Sequence, residues 1–162
     1  MSRTTKTPSE SCVTENVYKI FPNDLNAERT VFGGLVLALC DRTALIVAER
    51  HSGYSCVTAS VDGVDFLAPA RAGETLIVRS SINRAWRSSM EIGVLVLAEN
   101  SISGQTRHVL SAYLTFVALD AEGKSAAVPA VKASTDIEKK RFRAAGRRRK
   151  HRLAVKQRAR KT

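Results

Sequence analysis

Long apolar runs are missing from this chain of 162 residues. Nothing approaches the roughly 18 to 20 consecutive apolar residues that a membrane-spanning helix requires, so no membrane span is expected. The start, Met1 to Glu10, lacks the apolar centre of a signal peptide, and the expected compartment is the cytoplasm. Cysteine is scarce. Cys12, Cys40 and Cys56 are odd in number and widely spaced, with no CxxC pair and no histidine at metal-ligand spacing, which excludes a disulfide framework and a zinc site. Carboxylates are scarce in one segment only: residues 132 to 162 hold 14 Lys and Arg against Asp136 and Glu138, whereas residues 1 to 131 hold 12 against 13. The net charge of +11 therefore belongs to the tail, and the body is a nearly neutral globular domain.

A chain of this length forms one domain and buries about two thirds of the surface its unfolded form exposes. Residues 1 to 13, rich in Ser, Thr and Lys, are expected to be disordered. Residues 14 to 131 make the domain, and residues 132 to 162 a basic helical tail with few apolar positions, Ile137, Phe142, Leu153 and Val155. Val13 to Phe21 reads as a short strand. A polar loop, Asn26-Ala27-Glu28-Arg29-Thr30, leads into Gly33-Gly34 and an apolar helix from about Leu35 to Arg50, with Gly53 suited to its C-cap. Strands follow at Ser55 to Phe66, Thr75 to Asn83, about Ser88 to Glu99 and Arg107 to Leu119, separated by turns. One sheet with a single helix to cover it leaves a face and its edges open, which predicts a dimer.

Within that helix only Asp41, Arg42 and Thr43 interrupt the aliphatic residues, so the helix is expected to be buried all round. A carboxylate there is costly unless it is paired or employed. Taken alone, Asp41 is either satisfied by Thr43, Arg42 or a backbone group, or it is catalytic. Asn26 is either a turn or N-cap residue or a polar group that orients a reactant. Gly33-Gly34 is a tight turn whose N–H groups, at the positive end of the helix, can also receive a developing oxyanion.

The residues in order resemble a known family. Asn26, the Gly33-Gly34 pair and Asp41 seven positions beyond it, then Val57-Thr58-Ala59-Ser60-Val61-Asp62, Pro69 and Gly73, Ser88-Ser89-Met90-Glu91-Ile92, Thr115 to Asp120, and Gly123-Lys124 with Pro129 are similar to the hotdog-fold acyl-CoA thioester hydrolases. These include single-domain bacterial enzymes and the tandem-domain cytosolic acyl-CoA hydrolases of animals. The resemblance implies an α+β hotdog fold, an antiparallel sheet wrapped around a long central helix, followed by a basic C-terminal helix. It implies hydrolysis of acyl-CoA to fatty acid and CoA without a further cofactor or metal. Asp41 would act as general base or nucleophile, Asn26 would orient water or carbonyl, and Gly33 and Gly34 would supply the oxyanion hole. Thr58, Arg87, Ser88 and Ser89 are candidate CoA contacts, or polar strand-edge residues. Asn26 and Asp41 are expected to meet across a dimer interface, in a dimer or trimer of dimers.

Two positions depart from the family. Arg29 stands where the family usually has Gly, and Trp86 where it usually has a small residue. Other expectations are plainer. His51 is a charge suited to the helix C-terminus, with no catalytic role, and Asp62 and Asp65 lie on an exposed or interfacial strand face. The tail from Arg147 to Arg152 forms an electropositive rim for CoA phosphates and ends as a solvated helix, with nucleic-acid binding as the weaker alternative. An acyl-CoA-binding or regulatory module without turnover is the alternative from a different class.

Overall fold

The structure, a computed structural model, describes residues 4–159, so the expectations for residues 1–3 and 160–162 fall outside the described residues. Its centre is α1, Gly33–Ser52, closed by Gly53 in the left-handed region at φ 75°, where the N–H of Gly53 returns to the carbonyl of Glu49 at 2.8 Å. Five strands form one antiparallel sheet: β2 (Val13–Lys19), β3 (Ser55–Phe66), β4 (Thr75–Ala85), β5 (Ser89–Glu99) and β6 (Thr106–Leu119). Their spatial order is β2-β4-β5-β6-β3. Three successive strands make a meander, while the strand that directly follows the helix crosses to the far edge and pairs with β6. This is the hotdog arrangement that the resemblance implies.

Alternation along the strands sets the two faces. Leu76, Val78 and Ile82 of β4, Met90, Ile92, Val94 and Val96 of β5, and Leu110, Leu114 and Phe116 of β6 are buried in one core with Val36, Cys40, Ala44 and Val47 of α1. Only one stripe of α1 is covered, however. Leu37 and Ile46 remain 39% and 41% exposed, which corrects the expectation of a helix buried all round. A single sheet cannot encircle a helix, and the open stripe lies beside the unpaired edge of β3, where Val57, Val61 and Phe66 are also exposed.

The N-terminal region also differs from its expectation. Residues 4 to 13 are ordered: β1 (Thr5–Lys6) pairs in parallel with β7 (Ala130–Val131), and a 3₁₀ turn follows at Pro8–Glu10. Lys6 donates its ammonium to the carbonyls of Arg50 and His51 at 3.0 and 3.1 Å, at the negative end of α1. Polar composition did not prevent order here, because β7 and the helix end supply partners for the segment's polar groups.

The tail forms α2, Asp136–Ala159, and it docks on the sheet face opposite α1. Glu91 of β5, completely buried, accepts from Arg148 at 2.6 and 3.1 Å and from the Asn83 amide at 3.0 Å. The same guanidinium lies 3.5 Å from the centre of the Tyr113 ring, and Arg152 binds Asp62 at 2.5 Å. The body-proximal half of the tail, expected to form an electropositive rim, is thus also part of the domain's packing.

Candidate active site

Asp41 lies on the half-open side of α1, not in the core. Its Oδ1 accepts a hydrogen bond from the Thr58 hydroxyl at 2.6 Å, across from the helix to β3. Thr43 does not compete for it: the Thr43 hydroxyl donates to the Leu39 carbonyl at 2.7 Å and accepts from Asn16 at 2.8 Å. The carboxylate is therefore held on the half-exposed side of the helix with its Oδ1 oriented by Thr58. Its neighbour Cys40 points inward, and burial, with the Asp41 charge added, pushes that thiol up to about 12, which removes it as a nucleophile.

Gly33 and Gly34 open the helix, and their N–H groups precede the i→i−4 ladder. Phenylalanine rings stand close to both. A β-carbon on Gly34 would overlap the Phe32 ring, and one on Gly33 would come within 3.3 Å of the Phe66 ring. Phe32 and Phe66 are themselves 59% and 49% exposed, forming an apolar rim around these donors.

Asn26 stands in the preceding loop, and its side chain is engaged by that loop. Its Oδ1 accepts from the N–H groups of Glu28 and Thr30 at 3.0 and 3.1 Å, and its amide donates to the Thr30 hydroxyl at 3.0 Å. Arg29, inside the same turn, adopts φ 59° and is the one non-glycine residue among those described with positive φ. This left-handed backbone is one that glycine adopts without strain, so the Arg29 side chain is held there at a cost.

Within one chain these groups do not converge. Seven residues of helix separate Gly34 from Asp41, a rise of about 10 Å. One carbonyl cannot touch both. Two cavities accompany the fold, about 620 Å³ between β3 and α2 and about 1010 Å³ between α2 and the outer sheet face, and Asp41 and Asn26 line neither.

The remaining candidates separate as well. Register places Thr58 opposite Phe116 and Phe116 opposite Met90, so Ser89 lies two strands from Thr58 and, by alternation, on the other face. Ser89 accepts from Arg149 at 3.3 Å, Arg87 donates to the Ser125 hydroxyl at 3.2 Å, and the Ser88 carbonyl accepts the Ala118 N–H at 3.0 Å. Thr58 is thus a partner of Asp41 rather than a neighbour of the serines. His51 is corrected too: it is fully buried, with one ring nitrogen 3.1 Å from the Pro129 carbonyl, and burial lowers its affinity for a proton despite that contact, so it is not the charge expected at the helix end. Among the described residues no cluster of His, Cys, Asp and Glu could hold a metal ion.

The Glu91–Arg148 pair had no sequence reading of its own. Glu91 at an alternate position of an otherwise apolar strand was the available signal, the same kind of signal that drew attention to Asp41.

Residues 28–104 match the thioesterase superfamily model. The chain is 39% identical over 120 residues to a Bacillus subtilis protein described as an uncharacterized acyl-CoA thioester hydrolase, YkhA, covering 74% of this chain and 70% of that one. It is 38% identical over 128 residues to the human cytosolic acyl coenzyme A thioester hydrolase, covering 78% of this chain but 34% of the longer human one. Among solved structures, an acyl-CoA hydrolase from Staphylococcus aureus in complex with butyryl coenzyme A and coenzyme A superposes with a TM-score of 0.90 at 37% identity, covering 97% of this chain and 95% of that one.

Proposed function

The chain belongs to the thioesterase superfamily, and from that membership we propose that it hydrolyses acyl-CoA thioesters to free acid and CoA at sites built from two copies of itself. The observation that carries the proposal is the Thr58–Asp41 hydrogen bond at the uncovered side of α1, with the helix-start donors about 10 Å away in the same chain. Asp41 of one copy supplies the base or nucleophile. Gly33 and Gly34 of the other copy supply N–H donors to the carbonyl oxygen, and its Asn26 orients water or carbonyl once drawn from its loop. Thr58 fixes the Asp41 carboxylate. It is a positioning residue.

The Staphylococcus aureus protein supports these assignments by spacing. Its structures include alanine variants of an aspartate, of an asparagine fifteen positions before it and of a threonine seventeen positions after it, the spacings of Asp41, Asn26 and Thr58 here. An acyl-CoA thioesterase 34% identical to this chain is described as hexameric, which supports a trimer of dimers. The open stripe of α1 and the free edge of β3 are the surfaces such a dimer would bury.

The chemistry is an acyl transfer to water. Either water, giving its proton to Asp41, or Asp41 itself adds to the thioester carbonyl; the helix-start N–H groups stabilise the charge on its oxygen, the thiolate of CoA leaves, and in the second case water then hydrolyses the acyl–Asp41 anhydride. The test is release of free thiol from acyl-CoAs of graded chain length. Asp41→Ala should lower kcat by about 10²- to 10⁴-fold, the usual worth of such a group, with CoA still bound. Hydrolysis of no acyl-CoA, or full activity in Asp41→Ala, would refute the proposal.

A further inference from the structure

Five of the described arginines are half-buried: Arg84, Arg107, Arg148, Arg149 and Arg152. Three of them have a carboxylate, Arg107 with Glu74, Arg148 with Glu91 and Arg152 with Asp62. Arg84 and Arg149 have none among the described residues. They are held by other means. The Arg149 guanidinium lies 4.4 Å from the centre of the Trp86 ring and donates to the Ser89 hydroxyl at 3.3 Å. The Arg84 guanidinium lies 4.2 Å from the Phe142 ring and 5.7 Å from the Trp86 ring. It also reaches the backbone of α2 at Gly146, where a β-carbon would stand 2.5 Å from its Nη1.

Two like charges at partly desolvated positions repel one another and cost stability unless something negative joins them. Burial first, then the charges of Arg152 and Arg84, holds the Arg149 guanidinium below its ordinary value. Aromatic rings hold these cations in place without neutralising them. The two guanidiniums thus share the Trp86 ring as a neighbour, with the Ser89 hydroxyl beside Arg149, at the junction of the β4–β5 turn and α2.

We propose that Arg84, Arg149 and Ser89, set in place by Trp86, Phe142 and the bare Gly146, form a binding site for a phosphate monoester. A dianionic tetrahedral group has enough acceptors for both guanidiniums and the serine hydroxyl at once, whereas a carboxylate would leave donors unused. Trp86 thereby has a role: its ring is the common neighbour of the two cations. The phosphate has two possible sources, the 3′-phosphate of CoA and a free phosphate or phosphomonoester. Assignment to CoA rests on the function proposed above; the phosphate site itself does not.

Binding measurements on the full chain separate the two. Inorganic phosphate is titrated by calorimetry into the wild type, Arg149→Gln, Arg84→Gln and the control Arg143→Gln, which removes one charge from an exposed position of the same helix. The two site variants should weaken phosphate binding about tenfold, roughly one charge-assisted hydrogen bond, while the control stays within twofold. CoA and 3′-dephospho-CoA are then compared. A tenfold preference for CoA that disappears in Arg149→Gln assigns the site to the 3′-phosphate, and phosphate binding that CoA does not displace supports the same site with a free phosphomonoester as its ligand. Equal phosphate affinity in the wild type and both site variants overturns the proposal. So does dissociation of the oligomer in Arg149→Gln with no phosphate binding in the wild type, since a carboxylate of a second copy would then be the missing partner.

Discussion

A mixture of two inactive variants tests the shared site most sharply. Take Asn26→Ala in one copy and Asp41→Ala in the other. If each site uses Asn26 of one chain and Asp41 of its partner, a mixed dimer contains one site with both substitutions and one site with neither. Helix geometry is what requires the sharing, because the N–H donors at Gly34 and the carboxylate of Asp41 are about 10 Å apart within a chain while a thioester carbonyl offers only a few ångströms. Random reassortment of equal amounts gives about half mixed dimers, each with one intact site of two, so activity per chain should recover to about 25% of the wild type. The assay is thiol release from a good acyl-CoA substrate after the proteins are unfolded and refolded together. Subunit exchange is verified with differently tagged chains. Recovery near 25% supports shared sites. No recovery in verified mixed dimers would refute the geometric reasoning, because sites within one chain remain broken in every combination.

Four further outcomes are expected. Thr58→Ala should lower kcat by about tenfold, the worth of one hydrogen bond to a charged group, and Thr58→Ser should restore it; equal loss in both variants would remove the positioning role. Gly34→Ala must displace the Phe32 ring, so hydrolysis should fall with little change in melting temperature, and unchanged kcat would show that the helix start is not used. Glu91→Ala leaves the Arg148 charge without its carboxylate and should cost about 3 to 5 kcal/mol in denaturant unfolding; a loss under 1 kcal/mol would mean that α2 is not clamped there. His51 binds a proton less readily folded than unfolded, so below its ordinary value of 6.5 the unfolded state takes up protons first and stability falls with pH. Glu74, lowered by Arg107, adds a second loss as pH drops below 4.5 towards its folded value, and His51→Asn should abolish only the first step.

Local patterns made most of the fold legible. The strand from Ser55 to Phe66 has the expected bounds, and Gly53 caps the helix as its position suggests. The helix begins two residues earlier than expected because Phe32 accepts the first bonds and places both glycines inside. What the chain order could not convey was the crossing of β3 to the far edge, since alternation within a strand reveals its faces but not its neighbour. The same limit applied to Asp41. Its aliphatic surroundings suggested burial, whereas the stripe it occupies is one that a single sheet leaves open.

The tail is the clearest case of charge whose partners composition does not reveal. Its composition is that of a solvated or nucleic-acid-binding helix, yet Arg148 and Arg152 reach buried or half-buried carboxylates on the sheet. The partner signals were present but distant: Glu91 and Asp62 sit at alternate strand positions more than fifty residues upstream. Sequence separation hides such pairs, because a long-range ion pair leaves no local period. Once these two arginines and Arg107 are assigned to carboxylates, Arg84 and Arg149 are the half-buried arginines without one among the described residues. A phosphate competing for the tail in general would be displaced by salt in proportion to total charge, whereas one held at the proposed site would respond to single substitutions at Arg84 or Arg149 and not at Arg143. That difference turns a bulk property of composition into a question about two side chains.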